Sequence, residues 1–224
     1  MEIMFVEAKS DLDITLPKSC LARLPKRLGL LTTVQHAHKL KELKKFLEAN
    51  GKGVILIKGS RSKYDGQVLG CDILRLPKKD LDAFLYIGTG EFHPKELLLT
   101  QQKPVFVYNP SSKKFYQLKA EEIQTLIRRQ KGALLKFLSS TNIGVIISTK
   151  PGQQSLEQAL KLKDRYKGKN FYFLVFDTID FPSLENFPFI ECFINTACSR
   201  IGYDDQINIG KPILNIDDLP KKTR

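Results

Sequence analysis

The sequence predicts an α/β protein of two repeated domains, each a small, mostly parallel sheet flanked by helices. Two observations carry this. Short apolar stretches of strand character alternate with amphipathic stretches of helical character, the pattern of parallel strands joined by crossover helices. The same order of elements then returns in the second half of the 224 residues.

In the first copy, residues 28–32 (LGLLT) form a strand that runs into the polar loop Thr33-Val34-Gln35-His36. A helix follows over 39–49, stopped by Gly51 and Gly53, and 54–57 is the next strand. In the second copy, residues 143–148 (IGVIIS) lead into Thr149-Lys150-Pro151-Gly152-Gln153. A helix over 156–166 is closed by Gly168, and 171–176 is the next strand. A third strand, AFLYI at 83–87, matches CFIN at 192–195, and residues 103–110 match 211–217. Each copy therefore has the order strand, loop, helix, strand, strand, strand. Ile123, Leu126, Ile127, Ala133, Leu134, Phe137 and Leu138 recur at helical spacing and predict a long helix over 120–139 that joins the copies. Residues before 28 do not fit the repeat. A single strand near 3–7 is followed by a linker over 11–25 with Pro17 and Pro25 as breakers. The expected domains are 28–139 and 140–224, with 1–27 as an N-terminal strand and linker.

Composition narrows the class. The chain carries 36 Lys and Arg against 24 Asp and Glu, a net charge of +12. These bases are spread along the chain, with no interleaved aromatic residues to stack bases, so a solvated Lys-rich surface is favoured and direct nucleic-acid binding is not expected. No apolar run is long enough for a bilayer, and the acidic start lacks the marks of a signal peptide. The expectation is a cytoplasmic protein with reduced thiols. Its four cysteines, Cys20, Cys71, Cys192 and Cys198, include no Cys-x-x-Cys pair, so any metal site is assembled from distant segments.

Ligands of open parallel sheets bind beyond the carboxyl ends of the strands. Three loops there hold unusual residues. Gly66-Gln67-Val68-Leu69-Gly70-Cys71-Asp72 brackets a cysteine with glycines, and Asn195-Thr196-Ala197-Cys198-Ser199-Arg200 sets another just past a strand. Gly88-Thr89-Gly90-Glu91-Phe92-His93 is glycine-rich but lacks the dinucleotide and P-loop patterns. Taken as residues alone, Cys71 and Cys198 are either small packing residues at sheet ends or metal ligands. His36, His38 and His93 are loop hydrogen-bonders or zinc ligands, without a supporting His-x-x-His spacing. Cys192 alternates with apolar neighbours and is expected in the core, and Cys20 lies in the linker.

These loops resemble one family. Thr32-Thr33-Val34-Gln35-His36, the segment from Gly66 to Asp72, Ser148-Thr149-Lys150-Pro151-Gly152-Gln153 and Asn195-Thr196-Ala197-Cys198-Ser199-Arg200-Ile201 are similar to motifs of the 2-(3-amino-3-carboxypropyl)histidine synthases. The likeness spans nearly the whole chain, in order and with compatible spacing. It implies a radical S-adenosylmethionine enzyme of three related α/β domains, each giving one cysteine to a [4Fe–4S] cluster. Such an enzyme moves the 3-amino-3-carboxypropyl group of S-adenosylmethionine to a histidine of translation elongation factor 2, the first step of diphthamide synthesis. By motif, Cys71 and Cys198 are the cluster ligands of the second and third domains. Gln35, His36, Gly152 and Gln153 fall in the S-adenosylmethionine pocket. The first domain, with its own ligand loop, has no counterpart here, so residues 1–27 are expected to be its remnant. A separate first-domain polypeptide, a non-catalytic accessory or scaffold role beside a catalytic paralogue, and a shortened chain are the alternatives. The first is favoured because both remaining ligand loops are intact. A homodimer is a further expectation of the family.

Overall fold

A computed structural model describes residues 4, 6–70, 73, 76, 80–150, 152–153, 155–203 and 209–220. The chain divides into two compact units, Met1–Ile123 and Gln124–Arg224.

The first unit contains α1 (Lys18–Leu21), β1 (Arg27–Thr32), α2 (Leu40–Ala49), β2 (Gly53–Leu56), β3 (Ala83–Ile87), α3 (Phe92–Gln101), β4 (Val105–Asn109) and β5 (Lys114–Gln117). Its sheet has the order β2-β1-β3-β4-β5. The first four strands are parallel, and β5 returns antiparallel to β4. Side chains alternate between two cores, as the pleat requires. Leu28, Leu30, Ala83, Leu85, Phe106 and Tyr108 face α2, while Leu31, Phe84, Tyr86, Val105 and Val107 pack with Leu97 of α3 and with Val68 and Ile73. Both faces of the sheet's centre are covered, which explains why β1, β3 and β4 are near-continuous apolar runs rather than alternating.

The second unit begins within α4 (Glu121–Ser139) and continues through β6 (Asn142–Ser148), α5 (Leu156–Arg165), β7 (Asn170–Phe176), β8 (Cys192–Asn195), α6 (Arg200–Tyr203) and β9 (Ile213–Asn215). Its four-stranded sheet, β7-β6-β8-β9, is parallel and repeats the four parallel strands of the first, without a counterpart of β5. Ala133 and Phe137 of α4 and Ala159 and Leu162 of α5 cover one face, and Leu184, Ile190 and Ile201 cover the other.

Three features depart from the sequence reading. The third and fourth strands are not consecutive. Parallel neighbours need a crossover, and α3 and α6 supply it. The hairpin strand β5 was also unexpected, and its turn is closed by Asn109 Oδ1, which accepts from the amides of Ser111 and Ser112 at 3.0 and 3.1 Å. Finally, the chain divides at Ile123, inside the joining helix, rather than at 139, because the buried residues Ala133 and Phe137 of that helix belong to the second core.

Residues in the presumed linker also differ from that reading, because they pack on the first unit. Leu16, Cys20 and Leu24, spaced by four, are buried in its core. Tyr108 donates its hydroxyl to the Thr15 carbonyl at 2.9 Å, and Ser10 N–H donates to the Gln35 carbonyl at 2.9 Å. The described residues around the predicted strand at 3–7 are not extended into one.

Candidate functional site

In each sheet the chain leaves the first strand toward one edge and the third toward the other. The switch falls between β1 and β3 in the first unit and between β6 and β8 in the second, and their carboxyl ends are where a ligand crevice opens.

At that edge of the first unit, Thr32 closes β1. Its buried hydroxyl donates to the Ile87 carbonyl of β3 at 2.7 Å, locking the two strand ends together. Residues 66–68 lie alongside β1, with Thr32 N–H donating to the Gly66 carbonyl and Val68 N–H donating to the Thr32 carbonyl, both at 2.8 Å. Gly66 has φ +80°, and a Cβ there would collide with Leu40. The position thus demands glycine for both conformation and space. Buried Gln67 accepts from the amides of Lys63 and Tyr64 through Oε1, each at 3.0 Å. This fastened segment ends at Gly70, where a Cβ would stand 2.7 Å from the ring of Phe92 at the start of α3. Cys71 follows directly in sequence but lies outside the described residues.

Gln35 and His36 sit together on the 3₁₀ turn Val34–Lys39 that leaves β1. Gln35 is exposed, whereas His36 is only 2% exposed. Its Nδ1 has no hydrogen-bond partner among the described residues. Burial, followed by the charges of His38 and Lys39, pushes its pKa below the ordinary 6.5, so it is neutral at physiological pH. A buried, neutral imidazole with an unused ring nitrogen is suited to meeting a ligand's polar group. His93 instead stacks on Tyr86 with ring centroids 6.0 Å apart.

The second unit brings Gly152, Gln153 and Cys198 to one edge. Gly152 is exposed, with φ +78°, in the turn after β6, and Gln153 N–H donates to the Lys150 carbonyl at 3.1 Å. Cys198 is half-buried in the loop after β8, the strand next to β6. Thr196 ties that loop to β6, donating both its N–H and its Oγ1 to the Ile146 carbonyl, at 3.0 and 2.9 Å.

Two asparagines then hold the cysteine itself. Asn195 Nδ2 donates to the Cys198 carbonyl at 2.8 Å and to Asn215 Oδ1 at 2.7 Å, while Asn195 Oδ1 accepts from Ala197 N–H at 3.0 Å. Asn215 Nδ2 donates to the Ser199 carbonyl at 2.9 Å. Asn215 escaped the sequence reading. Its place beside Asn195 at the strand ends comes from the fold (register Asn195↔Asn215).

The remaining described thiols are of a different kind. Cys192 is fully buried in the second core, and burial pushes its thiol up to about 12. Cys20 is buried in the first core. Neither cysteine lies at a carboxyl edge.

The folds and loops just described are those of the diphthamide synthesis proteins, and the chain belongs to that family, matching it over residues 1–219. It is 34% identical over 197 residues to the 2-(3-amino-3-carboxypropyl)histidine synthase of Pyrococcus horikoshii, covering 87% of this chain and 56% of that one. It is 25% identical over 222 residues to the 2-(3-amino-3-carboxypropyl)histidine synthase subunit 1 of Kluyveromyces lactis, covering 96% and 52%. Among solved structures, Dph2 from Pyrococcus horikoshii with a 4Fe-4S cluster superposes with a TM-score of 0.75 at 32% identity, covering 89% of this chain and 58% of that one. The chain therefore spans about half the length of the curated relatives it matches.

Proposed function

We propose that this chain is a component of a 2-(3-amino-3-carboxypropyl)histidine synthase, acting in the first step of diphthamide synthesis on a histidine of translation elongation factor 2. The observation that carries this is the likeness to the cluster-bearing Pyrococcus structure, with Cys198 on a built loop at the carboxyl edge of the second sheet. The donor chemistry fits a thiolate-held [4Fe–4S] cluster in kind. Cys198 is a half-buried thiol on a hydrogen-bonded loop, whereas Cys192, with its raised pKa, stays protonated in the core.

Cys198 and Cys71 would each supply a thiolate. Among the described residues no set of three or more His, Cys, Asp or Glu side chains is arranged to hold a metal ion. A further thiolate would come from outside these 224 residues: a first-domain polypeptide, a paralogous subunit or a second copy of the chain. Held by these thiolates, a reduced cluster would supply one-electron chemistry for cleaving a sulfur–carbon bond of S-adenosylmethionine.

The chain's own residues bind and orient. Neutral His36 offers Nδ1, as donor or acceptor according to its tautomer, to the amino or carboxylate group of S-adenosylmethionine, and Gln35 adds an amide beside it. In the second unit, the exposed turn at Gly152 and Gln153 offers backbone groups to S-adenosylmethionine. A translation factor as substrate puts the reaction in the cytoplasm. Among the described residues no helix is long and apolar enough to cross a membrane.

The name "subunit 1" of the Kluyveromyces relative points to a synthase of more than one subunit, and a second reading is an accessory subunit beside a catalytic paralogue. The two separate on titration with S-adenosylmethionine after anaerobic reconstitution of the chain together with the unmatched part of the Pyrococcus relative. The catalytic reading expects iron and sulfide that are lost in Cys71→Ala and in Cys198→Ala. It also expects S-adenosylmethionine affinity that falls about tenfold in His36→Ala, the loss of one buried hydrogen bond. Unchanged iron and affinity in these variants leave only the accessory role.

A further inference from the structure

We infer that Asn195 and Asn215 are positioning residues for the Cys198 thiol. The pair fixes the backbone on which the thiol is carried, and with it the direction of the sulfur. The inference rests on the reading of Cys198 as a cluster ligand.

The two amides are 1% and 3% exposed, and a buried amide is costly unless it is hydrogen-bonded. Here the bonds form a closed chain that ends on the cysteine loop. Asn195 spends both amide hydrogens, one on the Cys198 carbonyl and one on Asn215 Oδ1, and its own oxygen holds Ala197 N–H on the other side of the cysteine. Asn215 passes the chain on to the Ser199 carbonyl. The same two carbonyls accept from Ile201 N–H at 3.1 Å and Gly202 N–H at 3.2 Å, so each is doubly held. Residues on both sides of Cys198, and Cys198 itself, are therefore pinned to the strand ends.

The fold does not require this arrangement. In the first unit, whose Phe84 and Pro104 stand where the second has Phe193 and Pro212, the equivalent pair is Tyr86↔Val107, with no amide at either position. The asparagine pair appears only where a loop carries Cys198. Gly202 completes the device, because a Cβ there would collide with the Asn215 side chain.

Asn215→Asp tests the inference with almost no change in shape. Asp keeps the oxygen that accepts from Asn195 and loses the hydrogen given to Ser199. Each cysteine's rate of alkylation by iodoacetamide is followed by peptide mass spectrometry on the native chain. Cys20 and Cys192, buried in one unit each, report general loosening. Cys198 is expected to react roughly tenfold faster than in the unchanged protein, the size of one lost buried hydrogen bond. The two buried cysteines are expected to keep their rates, and Asn195→Ala is expected to give the same selective pattern. An unchanged Cys198 rate overturns the inference. An equal rise at Cys198, Cys20 and Cys192 overturns it too, marking the pair as fold residues only. In anaerobically reconstituted protein, the electron paramagnetic resonance g-values of the reduced cluster are expected to shift in Asn215→Asp. If the unchanged protein, reconstituted together with the unmatched part of the Pyrococcus relative, takes up no iron, the cluster reading fails while the alkylation rates still decide the role of the pair.

Discussion

Gly144→Ala is expected to destabilise the second unit, although replacing glycine in a strand is ordinarily favourable. Gly144 pairs in register with Phe193 of β8, and an added methyl would lie 2.5 and 2.6 Å from Cδ1 and Cε1 of that ring and 3.0 Å from Ile190 Cδ1. Carbon pairs are comfortable at about 3.5–4.0 Å, so the ring must retreat by roughly 1 Å. It is 1% exposed and packed among Leu184, Ile209 and Ile213. Overpacking of this kind costs about 1–3 kcal/mol. Against it stands the smaller entropy of the unfolded chain, worth about 0.4–1 kcal/mol. The clash wins, with a net loss of about 1–2 kcal/mol, or a fall in Tm of about 5–15 °C for a unit of this size. Thermal unfolding followed by circular dichroism measures it, and Gly144→Ala combined with Phe193→Leu should recover part of the loss. A Tm equal to or above that of the unchanged protein would refute the reasoning, since entropy would then outweigh packing. Gly29 stands under Phe84 in the same relation in the first sheet, with contacts of 2.8 Å to Leu81 Cδ1 and 2.9 Å to the ring. Because the nearest atom there is the end of a flexible side chain, Gly29→Ala is expected to cost less.

Three further outcomes follow from the site. His36 is buried and neutral, with its pKa lowered, so the unfolded chain binds a proton near pH 6.5 that the folded chain resists. Its neutral burial is compatible with full stability above that pH, and stability is lost as the pH falls from there toward the lower folded value. The Tm difference between pH 7.5 and 5.5 should therefore shrink in His36→Gln, and an identical pH dependence would contradict this. Gly152→Ala meets no neighbour but must hold φ +78°, a strain of about 1–2 kcal/mol, so the Tm of the unit should fall by about 5–15 °C and binding of S-adenosylmethionine by calorimetry, measured well below that Tm, should weaken. Cys192→Ala should leave iron content unchanged but lower the Tm, because it removes a packed, protonated thiol; loss of iron would contradict its place in the core.

Much of the fold was legible because strands and helices differ in the period of their apolar residues. Strand 83–87 and strand 192–195 coincide with β3 and β8, and the alternation of LGLLT between two cores follows from its spacing. What escaped was governed by contacts distant in sequence. Helix α3 opens with Phe92-His93-Pro94, which looks like a loop because proline usually breaks helices, yet proline is tolerated in a first turn. Residues 11–25 looked like a linker because Pro17 and Pro25 act as breakers there, whereas Leu16, Cys20 and Leu24 are claimed by the first core.

The site was legible to a similar degree. Composition left Cys198 open between packing and ligation, and only the carboxyl edge of β8 and the hydrogen bonds to its loop separate it from Cys192, six residues earlier in sequence. Asn215 had no local signal, because its role depends on a strand-end neighbour twenty residues away. The unused nitrogen of His36 is likewise a property of burial that no spacing announces.

The most direct test of the central proposal is the iron and acid-labile sulfide content of the chain after anaerobic reconstitution with the unmatched part of the Pyrococcus relative. It is read alongside electron paramagnetic resonance of the reduced sample, for the unchanged protein and for Cys71→Ala, Cys198→Ala and Cys20→Ala. The proposal predicts a [4Fe–4S] signal that responds to S-adenosylmethionine, survives Cys20→Ala, and disappears in each of the other two variants. Iron and signal retained at unchanged levels in both Cys71→Ala and Cys198→Ala would contradict it.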